Sequence, residues 1–271
     1  MSIEIEDRGA VRIVTLDRPE RRNAVDPATA RQLYEAFVTF ETDADLSVAV
    51  LTGRGGAFSA GFDLKHFSEA LDESWDAAHA FPDDWDDRPI PQPILGPMGP
   101  TRLRLSKPVI AAVAGPAVAG GMELALWCDL RVVEPSAYFG VYSRRWGVPY
   151  IDGGTVRLPR LVGQGRALEM MLTGRQVPAE EALRIGLAER AAPEGGALET
   201  AVALAEEIAR FPQGCLRADR SSVLDQWGLS EAAAIRREWD SLAVFHAEGQ
   251  AGAGRFAAGK GRGGDFSDFG G

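Results

Sequence analysis

One carboxylate in this chain stands where a strand is about to become a helix. Residues 107–131 read KPVIAAVAGPAVAGGMELALWCDLR. The apolar run Val109–Val113 has the character of a buried strand, Gly115-Pro116 interrupts it, and Gly120-Gly121 precede a helical run through Met122, Leu124, Ala125, Leu126 and Trp127. The first amides of a helix lack an acceptor within it and lie at the positive end of its dipole, so they stabilise an oxygen that gains negative charge during a reaction. Glycine at 120 and 121 lets a ligand approach that backbone. Glu123 falls in the first turn, where an acid or base shares a pocket with such an anion hole. Glycines before a helix and a glutamate in its first turn also serve ordinary capping, so chemistry here needs partners elsewhere in the chain.

Other stretches offer them. Arg21 and Arg22, within PERRNA at 19–24, present fixed donors that suit phosphates and equally suit a solvated surface. Residues 53–64, GRGGAFSAGFDL, permit unusual backbone angles and a close ligand approach, but no Lys-Ser/Thr follows the glycines, which excludes a nucleotide-triphosphatase P-loop. Ser59 lacks the flanking pattern of a nucleophile elbow. Phe62 is either a core side chain or, beside Gly61, the donor of a backbone amide to a pocket. Asp152 stands on the glycine-rich turn GVPYIDGG, where it accepts from local backbone or orients water. Trp146 is placed to close the apolar end of a pocket, with Arg144 and Arg145 facing solvent or a partner. His66 and His79 belong to a chain with three histidines and lack a matching carboxylate cluster, which argues against a metal site.

The elements that would position these groups read as an alternation of strands and helices. Two strands, around Ile3–Ile5 and Val11–Leu16, join at Gly9 as a hairpin. A helix from Asp26 to Phe40 carries Leu33, Tyr34, Phe37 and Phe40 at helical spacing behind Pro27. A strand at 47–51 follows. From residue 65 to 105 the composition turns acidic, aromatic and proline-rich, with Trp75, Trp85 and Asp72, Asp76, Asp83, Asp84, Asp86 and Asp87. We read a short helix over 68–80 and then a folded loop that covers a pocket mouth. Short strands at 131–133 and 137–140 and a helix beginning near Thr155 come next. Residues 164–171, 178–185, 198–211 and 214–248 are mainly helical, and the glycine-rich end carries Phe256 and Lys260.

A chain of 271 residues with 45% hydrophobic and 25% charged residues buries a sizeable α/β core. Its formal charge of -10 argues against general nucleic-acid binding. Two cysteines, Cys128 and Cys215, are too few for a disulfide scaffold. Neither a signal pattern nor a spanning apolar run is apparent, so the expected location is cytoplasmic, with no membrane partner.

Taken together, RPERRNA at 18–24, GRGGAFSAGFDL at 53–64, the segment 107–131, and GVPYIDGG with TVRLPRLVG at 147–163 resemble the enoyl-CoA hydratase/isomerase, or crotonase, superfamily over nearly the whole chain. The resemblance implies a crotonase-like spiral of ββα units over residues 1–195, with a pocket-shaping insert at 66–105, and a helical trimerisation region with a tail over 196–271. It implies an acyl-CoA thioester whose oxygen is held by the amides of Phe62 and Gly120, with Glu123 matching the first glutamate of the hydratase pair. CoA contacts then fall on Arg21, Arg22, Ala24, Ala60, Phe256 and Lys260, the last two near a neighbour's site in a homotrimer or hexamer. Coenzyme A enters only as part of the substrate, and no metal or other cofactor is expected. The pattern departs at Ser143, four residues before Gly147, where family hydratases carry their second glutamate. Asp152 resembles, one residue out of register, a position used by some dienoyl isomerases and dehalogenases, and is the candidate for the vacant acid/base role. The expected reaction is hydration of a 2-enoyl-CoA. Enoyl or dienoyl isomerisation, thioester hydrolysis, dehalogenation and acyl-CoA binding without turnover are its alternatives.

Overall fold

A computed structural model describes residues 2–70, 73–82, 85 and 94–261. In chain order its strands are β1 (Ile3–Arg8), β2 (Val11–Leu16), β3 (Val48–Gly53), β4 (Val109–Val113), β5 (Pro116–Val118), β6 (Leu130–Val133), β7 (Tyr138–Gly140), β8 (Val177–Pro178) and β9 (Arg190–Ala191). The larger sheet has the order β1-β2-β3-β4-β6-β9. Its first pair is the expected antiparallel hairpin, turning at Gly9 with φ +57°, and every later pair is parallel. A smaller sheet has the order β5-β7-β8.

The central strands of the large sheet are buried on both faces, which is why VIAAV shows no polar alternation. Val14, Leu16, Ala49, Leu51, Ala111 and Val113 point into one core with α1 (Pro27–Thr42). Val11, Ile13, Val48, Val50, Ile110 and Ala112 point into the other. The helices along the next stretch are α2 (Leu64–Ala70), α3 (Glu73–His79), α4 (Gly120–Trp127), α5 (Gly154–Val162), α6 (Gln164–Thr173) and α7 (Ala179–Ile185). They are followed by α8 (Ala197–Ala209), whose Ala201, Val202 and Ala205 cover the second face.

Local chemistry fixes the helix ends. Asp26 accepts the Thr29 N–H at 2.8 Å ahead of Pro27, so α1 begins as its sequence requires. At its other end Lys107 Nζ donates to the Phe40 carbonyl at 2.8 Å and to that of Asp43. The buried Arg131 donates to Ala125 O at 3.2 Å, Cys128 O at 2.8 Å and Leu187 O at 2.7 Å. A cation at the negative end of α4 both satisfies its last carbonyls and ties it to the chain before β9.

Three expectations change. The stretch after Gly115 is a strand, β5, because Pro116 needs no N–H as a first strand residue while its carbonyl accepts from Ser59 N at 3.0 Å. The helix expected over 68–80 starts earlier, at Leu64, and is described on either side of residues 71–72 as α2 and α3. The helical run 214–248 is broken into α9 (Gln213–Asp225) and α10 (Glu231–Trp239), since Gly228 takes φ +88° and the Ser230 hydroxyl accepts from Ala233 N at 3.3 Å to cap a new helix. Beyond it lie α11 (Leu242–Val244), a π turn at Phe245–Gly249 and α12 (Gln250–Ala257). The acidic residues expected in the pocket cover, Asp72, Asp83, Asp84, Asp86 and Asp87, lie outside the described residues. Among the described residues no helix is long and apolar enough to cross a membrane.

Phe37 has no exposed surface and packs edge-on against Phe40 and Trp127, with ring centroids 6.5 and 4.8 Å away. Phe37→Ala is expected to cost about 3–5 kcal/mol in urea unfolding, the usual sum of lost transfer energy and a residual cavity, and a loss below about 1 kcal/mol would contradict this packing.

Candidate active site

A pocket of about 310 Å³ opens where the loops after β3 and β5 meet. The loop after β3 runs parallel to β5 itself through a bridge at Ser59, with Ser59 N donating to Pro116 O at 3.0 Å and Val118 N to Ser59 O at 3.1 Å. The PERRNA loop braces them from beneath. Asn23 Nδ2 donates to Arg54 O at 2.9 Å and Ala57 O at 2.6 Å, and the Ser59 hydroxyl donates to Asn23 O at 2.8 Å.

This alignment brings two backbone amides to the pocket. Phe62 and Gly120 both line it, and among the described residues neither N–H has an acceptor. Gly61 is required between them: it takes φ +92°, and a Cβ there would lie 2.7 Å from the Gly120 nitrogen. Gly121 is required for the same approach, since its Cβ would run into the Ser59 carbonyl oxygen. Ala119, a non-glycine residue at φ +52°, holds the turn into α4 with its N–H on Gly140 O at 2.9 Å. A backbone of this kind costs about 1–3 kcal/mol and persists where its surroundings over-determine it. The Phe62 side chain also packs on the core, so both readings of that residue hold at once.

Glu123 is 3% exposed and lines the same pocket. Its Oε1 accepts the amides of Asp152 and Gly154, each at 2.9 Å. Burial pushes its carboxyl up to about 8, with the Asp152 carboxylate adding to the rise, against the two amides and Arg157, which pull it down. With Oε1 taken by two donors, the proton belongs on Oε2. That atom accepts no hydrogen bond among the described residues.

Asp152 lies beside Glu123, as expected, but its carboxylate is engaged elsewhere. Oδ1 accepts Met98 N at 3.1 Å and the Thr101 hydroxyl, while Arg157 clamps the carbonyls of Asp152 and Thr101 at 2.8 and 2.7 Å. Burial raises the Asp152 carboxyl above its ordinary range, with the Thr101 hydroxyl opposing. The residue also borders a larger neighbouring cavity of about 1150 Å³. It links three segments as much as it faces the pocket.

The remaining expected residues divide. Arg22 and Ala60 line the pocket, with Ala24 buried and its carbonyl accepting from Arg18 Nη1 at 2.5 Å. Arg21 is exposed on the short 3-10 turn Pro19–Arg21. Phe256, in α12, and Lys260, just after it, are exposed and line none of this pocket within the single chain. Trp146 stands at the rim, 69% exposed. Phe67, Trp75, Pro97 and Met98, from the segment expected to shape the pocket, form part of its wall. Phe62, Phe67 and Trp75 pack mutually edge-on, with centroids 5.2 to 6.1 Å apart. The sequence reading passed over Tyr150, Thr101 and Arg157. Tyr150 carried a visible signal, an aromatic with a polar end two residues before Asp152; the other two gain meaning from tertiary contact alone. Among the described residues no three His, Cys, Asp or Glu side chains converge on a metal-sized site.

The chain is similar in sequence and in fold to known proteins. The profile of the enoyl-CoA hydratase/isomerase family matches residues 6–88 and 101–258. The enoyl-CoA hydratase EchA19 of Mycobacterium tuberculosis is 37% identical over 211 residues, 75% of this chain and 73% of that protein. An (E)-benzylidenesuccinyl-CoA hydratase of Thauera aromatica is 38% identical over 210 residues, 77% of each. The crystal structure of an enoyl-CoA hydratase from Mycobacterium tuberculosis H37Rv superposes with a TM-score of 0.84 at 35% identity, covering 95% of this chain and 96% of that one.

The electrostatics of the pocket are open to direct titration. In protein carrying 13C-carboxyl glutamate, the Glu123 resonance is expected to titrate with a midpoint of about 8, and Asp152→Asn to lower that midpoint by removing a neighbouring charge. A midpoint near the ordinary glutamate value of 4.5 would contradict the burial described here.

Proposed function

The chain belongs to the enoyl-CoA hydratase/isomerase family, and we propose that within it this protein adds water reversibly to the double bond of a 2-enoyl-CoA thioester. Its activity is of the hydratase/isomerase lyase type on an acyl-CoA thioester, as in its relatives, and its architecture is the crotonase α/β fold with a C-terminal helical stretch. The observation that carries the finer reading is the meeting in one pocket of two amides without acceptors and a buried carboxyl whose free oxygen is Oε2.

The steps follow from that arrangement. The thioester oxygen accepts from Phe62 N–H and Gly120 N–H, the second at the positive end of α4, so charge arriving there meets donors that need no reorganisation. Water attacks C3 as its proton passes to Glu123 Oε2. The C2–C3 π electrons move onto the thioester oxygen as an enolate, which then collapses as the proton held on Glu123 Oε2 passes to C2, so that OH and H are added across the double bond and the carboxylate is regenerated. Removing one such donor or the proton acceptor typically costs about 10²–10⁴ in rate. Asp152 is assigned a positioning role: its N–H holds Glu123 and its carboxylate holds the 96–101 loop against Gly120. Arg21, Arg22, Ala24 and Ala60 are assigned to the CoA end, and the aromatic wall of Phe62, Phe67 and Trp75 to the acyl chain.

The C-terminal helices support self-assembly. Val223, Trp227, Ile235, Trp239, Phe245 and Phe256 are large apolar residues left exposed on α9, the turn after it, α10, the π turn and α12. A homotrimer or hexamer buries such a surface and brings the Phe256–Lys260 region toward a neighbour's ligand. Light scattering at several concentrations is expected to report three or six copies, and a persistent monomer would refute the assembly.

The reaction is tested with a panel of 2-enoyl, 3-enoyl and halogenated acyl-CoA thioesters in heavy-oxygen water, read by mass spectrometry. Label at C3 is expected. Migration of the double bond without label means isomerisation, free CoA means hydrolysis, and tight binding without turnover means a binding protein; each of these refutes hydration. Because the base form of Glu123 appears only as pH rises through about 8, kcat/KM is expected to climb up to that pH and level off above it. Glu123→Gln should abolish hydration with thioester affinity retained.

A further inference from the structure

Asp152 is engaged with Met98 and Thr101, yet the side-chain oxygens of two other residues lining the pocket have no hydrogen-bond partner among the described residues. The Ser143 hydroxyl belongs to a residue 7% exposed, and the Tyr150 phenol oxygen is likewise cut off from solvent; among the described residues neither makes a hydrogen bond. Leaving a buried hydroxyl unpaired is unfavourable, so a pair of them around one pocket signals a guest that supplies the missing bonds. Ser143 lies on the turn Tyr142–Trp146 and lines no cavity but that of Glu123 among those described. The Tyr150 ring lies beside Glu123: a Cβ added at Gly154 would meet both the tyrosine ring and, at 2.9 Å, Glu123 Cγ. Tyr150 lines this pocket together with Glu123 and Ser143, and it also borders the neighbouring cavity, whose lining includes neither of them.

We propose that Ser143 Oγ and Tyr150 Oη, together with Glu123 Oε2, form a subsite for one neutral oxygen, the oxygen that is water before addition and the 3-hydroxyl of the acyl group after it. A hydroxyl group is both donor and acceptor, as are the two side chains, so the three bonds close around it: Tyr150 donates to the guest oxygen, and the guest donates to Glu123 Oε2 or Ser143 Oγ. Burial holds the Tyr150 phenol well above its ordinary pKa, so it remains a donor throughout the working pH range. Ser143, where the family pattern carries a glutamate, thus contributes position without a second charge. The assignment rests on the hydration reading for which oxygen is held, and it is separable from that reading because it predicts a binding preference that needs no turnover.

The test uses the full-length Glu123→Gln protein, in which turnover is suppressed, and calorimetry with 3-hydroxybutyryl-CoA and butyryl-CoA. The hydroxylated thioester is expected to bind about tenfold more tightly, the scale of one or two neutral hydrogen bonds. Adding Tyr150→Phe or Ser143→Ala should erase that preference while butyryl-CoA affinity stays within about twofold, and Ser143→Thr should restore it. In the Glu123 protein the two substitutions should lower kcat for crotonyl-CoA hydration, with the double variant losing less than the product of the single losses because both hold one oxygen. Equal affinity for the two thioesters, an unchanged preference in the double variant, or a preference confined to a 4- or 5-hydroxyacyl-CoA would overturn the proposal. Absence of hydration in the Glu123 protein with the binding preference intact would fail the reaction and leave the subsite standing.

Discussion

Two amide hydrogens on a single carboxylate oxygen hold this site together. Asp152 N and Gly154 N converge on Glu123 Oε1 at 2.9 Å each, and by doing so they join α4, which carries the glutamate, to the turn that opens α5. Hydrogen bonds to a charged acceptor favour ionisation, typically by about 1.5–3 kcal/mol apiece. Burial nevertheless wins here, since the carboxyl is pushed up to about 8. The contest yields a group that exchanges its proton near neutral pH through one defined atom, because the other oxygen is already saturated. Arg157, partly buried behind the turn, keeps the same segment from relaxing by holding the Asp152 and Thr101 carbonyls.

The second constraint is the lateral contact between the loops after β3 and β5. Parallel β3 and β4 in the large sheet send the loop after β3 and the chain entering β5 to the same edge, and Ser59 then pairs with the backbone of β5. Gly61 and Gly121 permit the approach, and Asn23, with φ +55°, locks it from below. An anion hole formed in this way belongs to neither loop alone. It is rigid because its amides sit in backbone that is already hydrogen-bonded on either side, so the free-energy cost of orienting the donors is met in folding rather than during a reaction.

Much of this was legible in the sequence where the information is local. The glycine pair, Glu123 in the first turn and the Asp26-Pro27 helix start are all set within a few residues, and the structure places them as read. The hairpin follows from Ile3 and Ile5 at alternate positions and the turn at Gly9, and the central buried strands follow from apolar runs such as Val109–Val113. What escaped depends on tertiary context: β5 is too short to show a period, and its pairing with Ser59 crosses more than fifty residues of sequence. The engagement of Asp152 by Thr101 and Met98 was equally invisible, so its acid/base candidacy rested on proximity in sequence to the glycine turn. Ser143 stood out as a departure from a pattern, but its unpaired hydroxyl and the company of Tyr150 emerge only when burial is known. The break of the C-terminal helices at Gly228 and Ser230 was readable in principle, being a glycine followed by a capping serine within one turn.

These contacts bring two amides, one carboxyl oxygen, the aromatic wall and the hydroxyl-bearing Ser143 and Tyr150 to a single pocket, and the proposed chemistry depends on that arrangement. That arrangement is tested most directly by a crystal structure of the protein with acetoacetyl-CoA, whose thioester mimics the substrate without an addable double bond. The account predicts the thioester oxygen about 2.9 Å from both Phe62 N and Gly120 N, the usual N–H···O distance, with Glu123 Oε2 facing C3. A thioester oxygen that meets neither amide, or a Glu123 turned away from the acyl carbons, would contradict it.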